Sequence, residues 1–258
     1  MSKSVGTILR AENIKKIFLT KSREVRGLES ITLDIYKGEF VTIFGPNGCG
    51  KTTLVNIFAG LVEADSGKLS SDYGHPEDLK KCYVWQNYRD ALLPWRPISE
   101  NISFPLKLAG VPRQTRRMHV TELMERFGIR LDPDARTYSL SGGEQQIVSI
   151  LRGLIIEPEI MLLDEPFSAL DYQMNLKMEA KIMEIWAKTK ITTVFVSHDL
   201  DQAVLLADRI VLLSRGPSHV RRIFENDLPR PRSVDMLGHP KHVALKKEIL
   251  GLFKEDTL

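Results

Sequence analysis

Short apolar runs alternate with stretches of helical periodicity along this chain. Ile31–Ile35 reads Ile-Thr-Leu-Asp-Ile, the alternation expected of a half-buried strand. Tyr36–Glu39 predicts a turn, and Phe40–Phe44, apolar and β-branched, a second strand. Leu54, Ile57, Phe58 and Leu61 then recur at helical spacing, so a helix is predicted from Lys51 with Gly60 as its stop. Between Asn87 and Ser139 strand signals are few. Pro94, Pro97, Pro105 and Pro112 punctuate that region, and helices are predicted near Ile98–Leu108 and Gln114–Phe127. Strand patterns return at Ile160–Leu163, Thr192–Val196 and Ile210–Leu213. Between the first two, Tyr172–Thr189 carries Met174, Met178, Ile182, Ile185 and Trp186 on one helical stripe, read as core filler. From Gly216 onward Pro217, Pro229, Pro231 and Pro240 predict an irregular tail that ends in a helix at His242–Phe253.

This alternation argues an α/β fold. The proline-punctuated middle is expected to form a mostly helical subdomain inserted in it. Apolar residues make up 43% and charged ones 27%, values that suit a folded domain and exclude a disordered one. The longest apolar stretches, Leu54–Val62 and Ile160–Leu163, fall far short of the roughly 18 residues a membrane span needs. Met1–Arg10 has no apolar core, so no signal peptide is expected. With only Cys49 and Cys82 there is no disulfide framework, and a soluble protein of a reducing compartment is expected. Lys and Arg number 36 against 33 acids. A net charge of +3 does not point to a nucleic-acid partner. The arginines of Arg113–Arg117 are read as a solvated helix face.

The candidate chemistry begins right after the Phe40–Phe44 strand. Gly45-Pro46-Asn47-Gly48-Cys49-Gly50-Lys51-Thr52 fits G-x-x-x-x-G-K-[ST]. Such a loop wraps backbone N–H groups around phosphate oxygens, and glycine permits the close approach. Lys51 supplies a positive charge to the β- and γ-phosphates, Thr52 a hydroxyl for Mg²⁺, and the following helix its N-terminal dipole. Cys49 sits among these donors, as a small loop residue or as a thiol of lowered pKa.

Ile160–Leu163 ends in Asp164-Glu165. The end of a buried strand is where open α/β sheets bind ligands. Asp164 there suits Mg²⁺, directly or through water, and Glu165 can take a proton from an attacking water. A second glycine-rich helix start, Ser141-Gly142-Gly143-Glu144, precedes Ile147–Ile156. Ser141 with Glu144 reads as a capping box, and the bare glycines as a second anion site.

The set resembles the ATP-binding subunit of an ABC transporter. Gly45–Thr52 is similar to its Walker A, Leu140–Gln145 to its LSGGQ signature with Glu144 in place of Gln, and Ile160–Glu165 to its Walker B. Ser168–Asp171 resembles the D-loop, Val196–Asp199 the switch-histidine segment, and Val84–Gln86 the Q-loop. The chain reads Gln146-Ile147-Val148 where relatives commonly have Q-R-V after the signature.

The resemblance implies an α/β P-loop NTPase (RecA-like) core, an N-terminal antiparallel β region and an inserted helical subdomain. It implies residues 1–86 and 157–215 as the nucleotide-binding core, 87–156 as the helical subdomain with the signature, and 216–258 as a C-terminal extension. Phe18 would stack on adenine, and Gly45, Pro46, Asn47, Gly48, Cys49, Gly50, Lys51, Thr52 and Thr53 would hold ATP. Glu165 and His198 would position the attacking water. Gln86 would sense the γ-phosphate and, with Thr52 and Asp164, the Mg²⁺. Ser141, Gly142, Gly143 and Glu144 would act on the ATP of a partner chain, either a second copy or a homologous subunit. The other histidines, His75, His119, His219, His239 and His242, are read as solvated.

Gln86–Tyr88, Leu92–Trp95, Glu100–Ile102 and Asp227–Arg232 resemble the nitrate, sulfonate and taurine importer branch, with bicarbonate, cyanate and vitamin-precursor importers as sisters. The expectation is an ATPase at the cytoplasmic face of a membrane. It would serve permease subunits docked near Gln86–Pro105 and, through them, a solute-binding protein. A soluble ABC ATPase of translation or repair and a non-hydrolysing ATP-binding module are the alternatives.

Overall fold

A computed structural model describes residues 6–19 and 24–255. In chain order the strands are β1 (Thr7–Leu19), β2 (Glu24–Tyr36), β3 (Phe40–Phe44), β4 (Ser66–Ser70), β5 (Lys81–Val84), β6 (Ile160–Asp164), β7 (Thr192–Ser197), β8 (Arg209–Leu213) and β9 (Ser218–Glu225). The helices are α1 (Lys51–Ala59), α2 (Tyr88–Ala91), α3 (Ile98–Ile102), α4 (Phe104–Leu108), α5 (Arg113–Arg126), α6 (Gly142–Leu154), α7 (Tyr172–Thr189), α8 (Leu200–Leu206) and α9 (Pro240–Glu255). The chain divides into two compact units, Met1–Leu79 with Lys190–Leu258, and Lys80–Thr189.

In the first unit the strands lie in the order β4-β1-β2-β9-β8-β3-β7. β1 pairs antiparallel with β2 and β4, and β3 pairs parallel with both β7 and β8. Every residue of β3, β7 and β8 is buried. Burial on both faces explains why these strands read as continuous apolar runs rather than as alternation. Phe40 and Phe195 meet there with ring centroids 5.9 Å apart. Gly60 ends α1 in the left-handed conformation, φ 76°, the stop that its position suggests.

The tail of this unit differs from its expected irregular start. β9 occupies Ser218–Glu225 and pairs antiparallel with β8, because Val220, Ile223 and Phe224 offer strand-forming side chains between the prolines. Beyond it, buried Arg232 donates to the carbonyls of Leu228 at 3.0 Å and Ala207 at 2.6 Å. The closing helix α9 lies on α8: Lys246 Nζ contacts both Asp201 carboxylate oxygens at 2.7 Å. Its Phe253 ring reaches Phe44, at 5.3 Å between centroids. His242, expected in solvent, is 1% exposed, because it lies on the inward side of α9 toward Asp201.

In the second unit β5 and β6 pair parallel, and β6 is buried throughout. The helix expected at Ile98–Leu108 is two helices, α3 and α4. Ser103 breaks them, with its hydroxyl bonded back to the Ser99 carbonyl at 2.7 Å and Pro105 in the next first turn. Asn101, fully buried, holds the preceding loop: its side chain accepts from Leu93 N–H at 2.8 Å and donates to the Leu93 and Pro97 carbonyls. Met178, Ile182, Ile185 and Trp186 of α7 are core, as their stripe suggests.

Candidate functional site

The first unit carries the phosphate loop at the end of β3. Gly48 and Gly50 have φ of 75° and 98°, the left-handed backbone that glycine adopts without strain. Gly50 also needs its missing side chain for space. A Cβ there would stand 2.7 Å from Leu28 Cδ2 and 3.1 Å from the Gly27 carbonyl oxygen. Lys51 is 5% exposed, and its Nζ donates to the carbonyls of Gly45 at 3.0 Å and Pro46 at 3.1 Å. The loop thereby curls around its own ammonium group, and Thr52 is an exposed residue at the start of α1. Burial raises the pKa of the Cys49 thiol, against the lowering effect of the Lys51 charge. Cys49 is therefore a small packed residue, not an activated thiol.

Phe18 belongs to the same neighbourhood. Its ring is 40% exposed, and its Cε2 lies 3.1 Å from where a Gly27 side chain would begin. Gly27 thus accommodates the Phe18 ring, and its own carbonyl abuts Gly50. His198 follows β7 and is exposed. Its flanks are tied down. The Ser197 hydroxyl donates to Gln202 Oε1 at 3.0 Å, and Asp199 caps α8 by accepting from the N–H groups of Asp201 and Gln202.

The second unit holds the acid pair. Asp164 ends β6 at 4% exposure, and the Tyr83 hydroxyl of neighbouring β5 donates to it at 3.2 Å. Burial, with the Asp164 charge added, pushes the Tyr83 hydroxyl far up, so it stays a donor. Glu165 takes φ 43°, a conformation rare for a side-chain-bearing residue. Gln86 Nε2 donates to Glu165 Oε2 at 3.4 Å. The capping box at the second glycine-rich start is present. Ser141 N–H donates to Glu144 Oε2 at 2.8 Å, and Glu144 N–H to the Ser141 hydroxyl at 3.4 Å.

Within the first unit, then, the fold gathers Phe18, the phosphate loop and His198. Within the second it gathers Gln86, Asp164 and Glu165, and it supports the signature glycines separately. Tyr83, Tyr88 and Gly27 were missed by sequence reasoning. Tyr83 and Tyr88 flank Gln86, and that proximity was the available signal. Within the second unit the Gln86 amide oxygen and the Asp164 carboxylate, which the Tyr83 hydroxyl already holds, are hard oxygens of the kind Mg²⁺ takes beside phosphates.

The ABC transporter family pattern matches residues 28–168, more than half of the chain. The chain belongs to the ABC transporter family. It is an ATP-binding, ATP-hydrolysing member. It is 39% identical over 97% of its length to an uncharacterised ABC transporter ATP-binding protein of Methanocaldococcus jannaschii, covering 92% of that protein. It is 37% identical to the aliphatic sulfonates import ATP-binding protein of Bacillus cereus, with 96% of each chain covered. A bicarbonate transport ATP-binding protein of Synechococcus elongatus is 40% identical, but this chain spans only 39% of its length. Among solved structures, a cassette in a post-hydrolysis state bound to ADP and Pi superposes with TM-score 0.72 at 28% identity, over 84% of this chain and 98% of that one. The corresponding dimeric bacterial ABC transporter cassette gives TM-score 0.71 at 27% identity, with the same shares covered. Among the described residues no helix is long and apolar enough to cross a membrane.

Proposed function

We propose that this chain is the ATPase subunit of an importer for a small solute, of the nitrate, sulfonate or taurine kind. The contact between Gln86 and Glu165 carries the reading, because it joins the residue expected to sense nucleotide to the residue expected to use it. Residues 1–86 and 157–215 serve as the nucleotide-binding core, 87–156 as the helical subdomain and 216–258 as an extension. Two copies meet head to tail. Each ATP is held by Lys51 and the glycine loop of one copy and by Ser141 to Glu144 of the other, with Phe18 stacked on the base. Mg²⁺, when bound with the nucleotide, offsets charge on its β- and γ-phosphates, and Thr52, Gln86 and Asp164 would hold it. Glu165 accepts a proton from the attacking water and His198 orients it. The phosphate-loop amides and Lys51 stabilise the charge that builds in the transition state. The sulfonate-importer relative, alike over nearly its whole length, supports the solute class. The subunit rests on the cytoplasmic face of the membrane, docked on permease subunits through the Gln86–Pro105 segment, where Trp95 is 68% exposed.

The purified protein is expected to release phosphate from Mg-ATP. Glu165→Gln, which keeps the shape but removes the base, is expected to lower that rate by about a hundredfold or more. A variant that hydrolyses ATP at the wild-type rate contradicts this role.

A further inference from the structure

Side chains of their own chain pack against the two glycines at the start of α6. Tyr88, two residues past Gln86, is fully buried, and among the described residues its hydroxyl has no hydrogen-bond partner. That hydroxyl lies 2.7 Å from where a Cβ on Gly142 would stand, and Leu170 Cδ2 lies 3.2 Å from the same point. On Gly143 a Cβ would stand 2.2 Å from Met174 Sδ. Leu170 belongs to the Ser168–Asp171 segment, and Met174 to the first turn of α7. Three segments of the second unit therefore converge on two glycines, where any added side chain would have to displace Tyr88, Leu170 or Met174. A second tie binds α2 to α6: Arg152 Nη1 donates to the Ala91 carbonyl at 2.5 Å.

We propose that Tyr88 is a positioning residue that fixes the start of α6 to the segment carrying Gln86. A buried hydroxyl without a partner is costly, and a phenylalanine ring would avoid that cost. Here the hydroxyl faces the first turn of α6, whose N–H groups precede the first ladder bond, from Gln145 N–H to the Ser141 carbonyl at 2.9 Å. A movement of the Gln86 segment then passes to Ser141 through one rigid ring, without nucleotide as intermediary. The glycines thus have a task inside their own chain besides any contact with a partner's ATP. The proposal rests on the ATPase reading for its readout.

The test is a double-variant cycle on the full-length protein, with steady-state ATPase kinetics and a thermal melt on each variant. Tyr88→Phe is expected to lower kcat about tenfold at unchanged KM for ATP, as for a misplaced catalytic part, with melting at or above wild type because the unpaired hydroxyl is gone. Gly142→Ala is expected to lower kcat at least as far. Combining the two removes the hydroxyl that the new methyl would strike, and the ring carbon behind it lies at 3.9 Å, an ordinary contact. The double variant is therefore expected to exceed Gly142→Ala alone. A double variant no better than Gly142→Ala overturns the proposal, because the methyl would then be harmful for another reason. If Gly142→Ala does not fold, Tyr88→Phe decides: wild-type kcat overturns the proposal. Wild-type phosphate release, lost in Glu165→Gln, keeps the ATPase reading separate from this outcome.

Discussion

The Tyr83 hydroxyl donates a 3.2 Å hydrogen bond to Asp164. Tyr83 sits on β5, paired with the β6 strand that Asp164 ends, so the parallel ladder itself sets their distance. Such a bond would orient the carboxylate proposed to hold Mg²⁺, and outer partners of this kind typically tune metal affinity by 10–100-fold. Tyr83→Phe is expected to raise the Mg²⁺ concentration for half-maximal ATPase activity by about tenfold. Melting is expected to stay near wild type. Magnesium titration of both proteins at saturating ATP checks this.

Gly153 is required by Cys82. A Cβ at Gly153 would stand 1.7 Å from Cys82 Sγ, which is buried and whose pKa burial raises to about 12. Overpacking of this kind costs about 1–3 kcal/mol, so Gly153→Ala is expected to lower the urea midpoint clearly. Adding Cys82→Ala removes the sulfur but leaves a Cβ at 3.0 Å, so most but not all of the loss is expected to return. Urea unfolding of the three variants reads the coupling.

His242 makes stability depend on pH. Burial lowers its pKa below the usual 6.5. The Asp201 charge on α8 opposes that shift, and Lys246 and His239 add to it. Among the described residues neither ring nitrogen has a hydrogen-bond partner of good geometry, although the Asp201 backbone also opposes the shift, and Nε2 lies 3.8 Å from Asp201 Oδ1. The folded state keeps the ring neutral, whereas the unfolded chain takes a proton as pH falls through about 6.5. The stability this group contributes is complete above that value and is lost as pH drops toward the lowered folded pKa. His242→Gln is therefore expected to lose less stability between pH 7.5 and pH 5 than the wild type. Urea midpoints at the two pH values measure the difference.

The parts legible in the sequence were those where one local rule decides. Phe40–Phe44 had to be a buried strand, Gly48 and Gly50 had to turn, and Ser141 with Glu144 had to cap a helix. β1 was not legible. Its pairing with β2 slips in register at four places, and each slip shifts the alternation that would have announced it. β9 was hidden between prolines. Ser103 splits a helix by a hydroxyl bond to Ser99 that spacing alone does not show. In the candidate site, motif order named Gln86, Asp164, Glu165 and His198. Tyr83 and Tyr88 lie beside Gln86 in the chain, but their reach to Asp164 and to the start of α6 crosses strands and helices, which spacing alone does not show.

The central claim is that each ATP is shared between Lys51 of one copy and Ser141 of another. It is tested most directly by mixing two inactive chains. Lys51→Ala removes the phosphate charge, and Ser141→Arg places a bulky cation at an exposed helix start. Each variant alone is expected to hydrolyse ATP no faster than background. In a mixed dimer one site has both defects and the other has neither. The equimolar mixture is therefore expected to regain phosphate release in proportion to the mixed dimers formed. A mixture as inactive as its components, although mixed dimers form, contradicts the shared site.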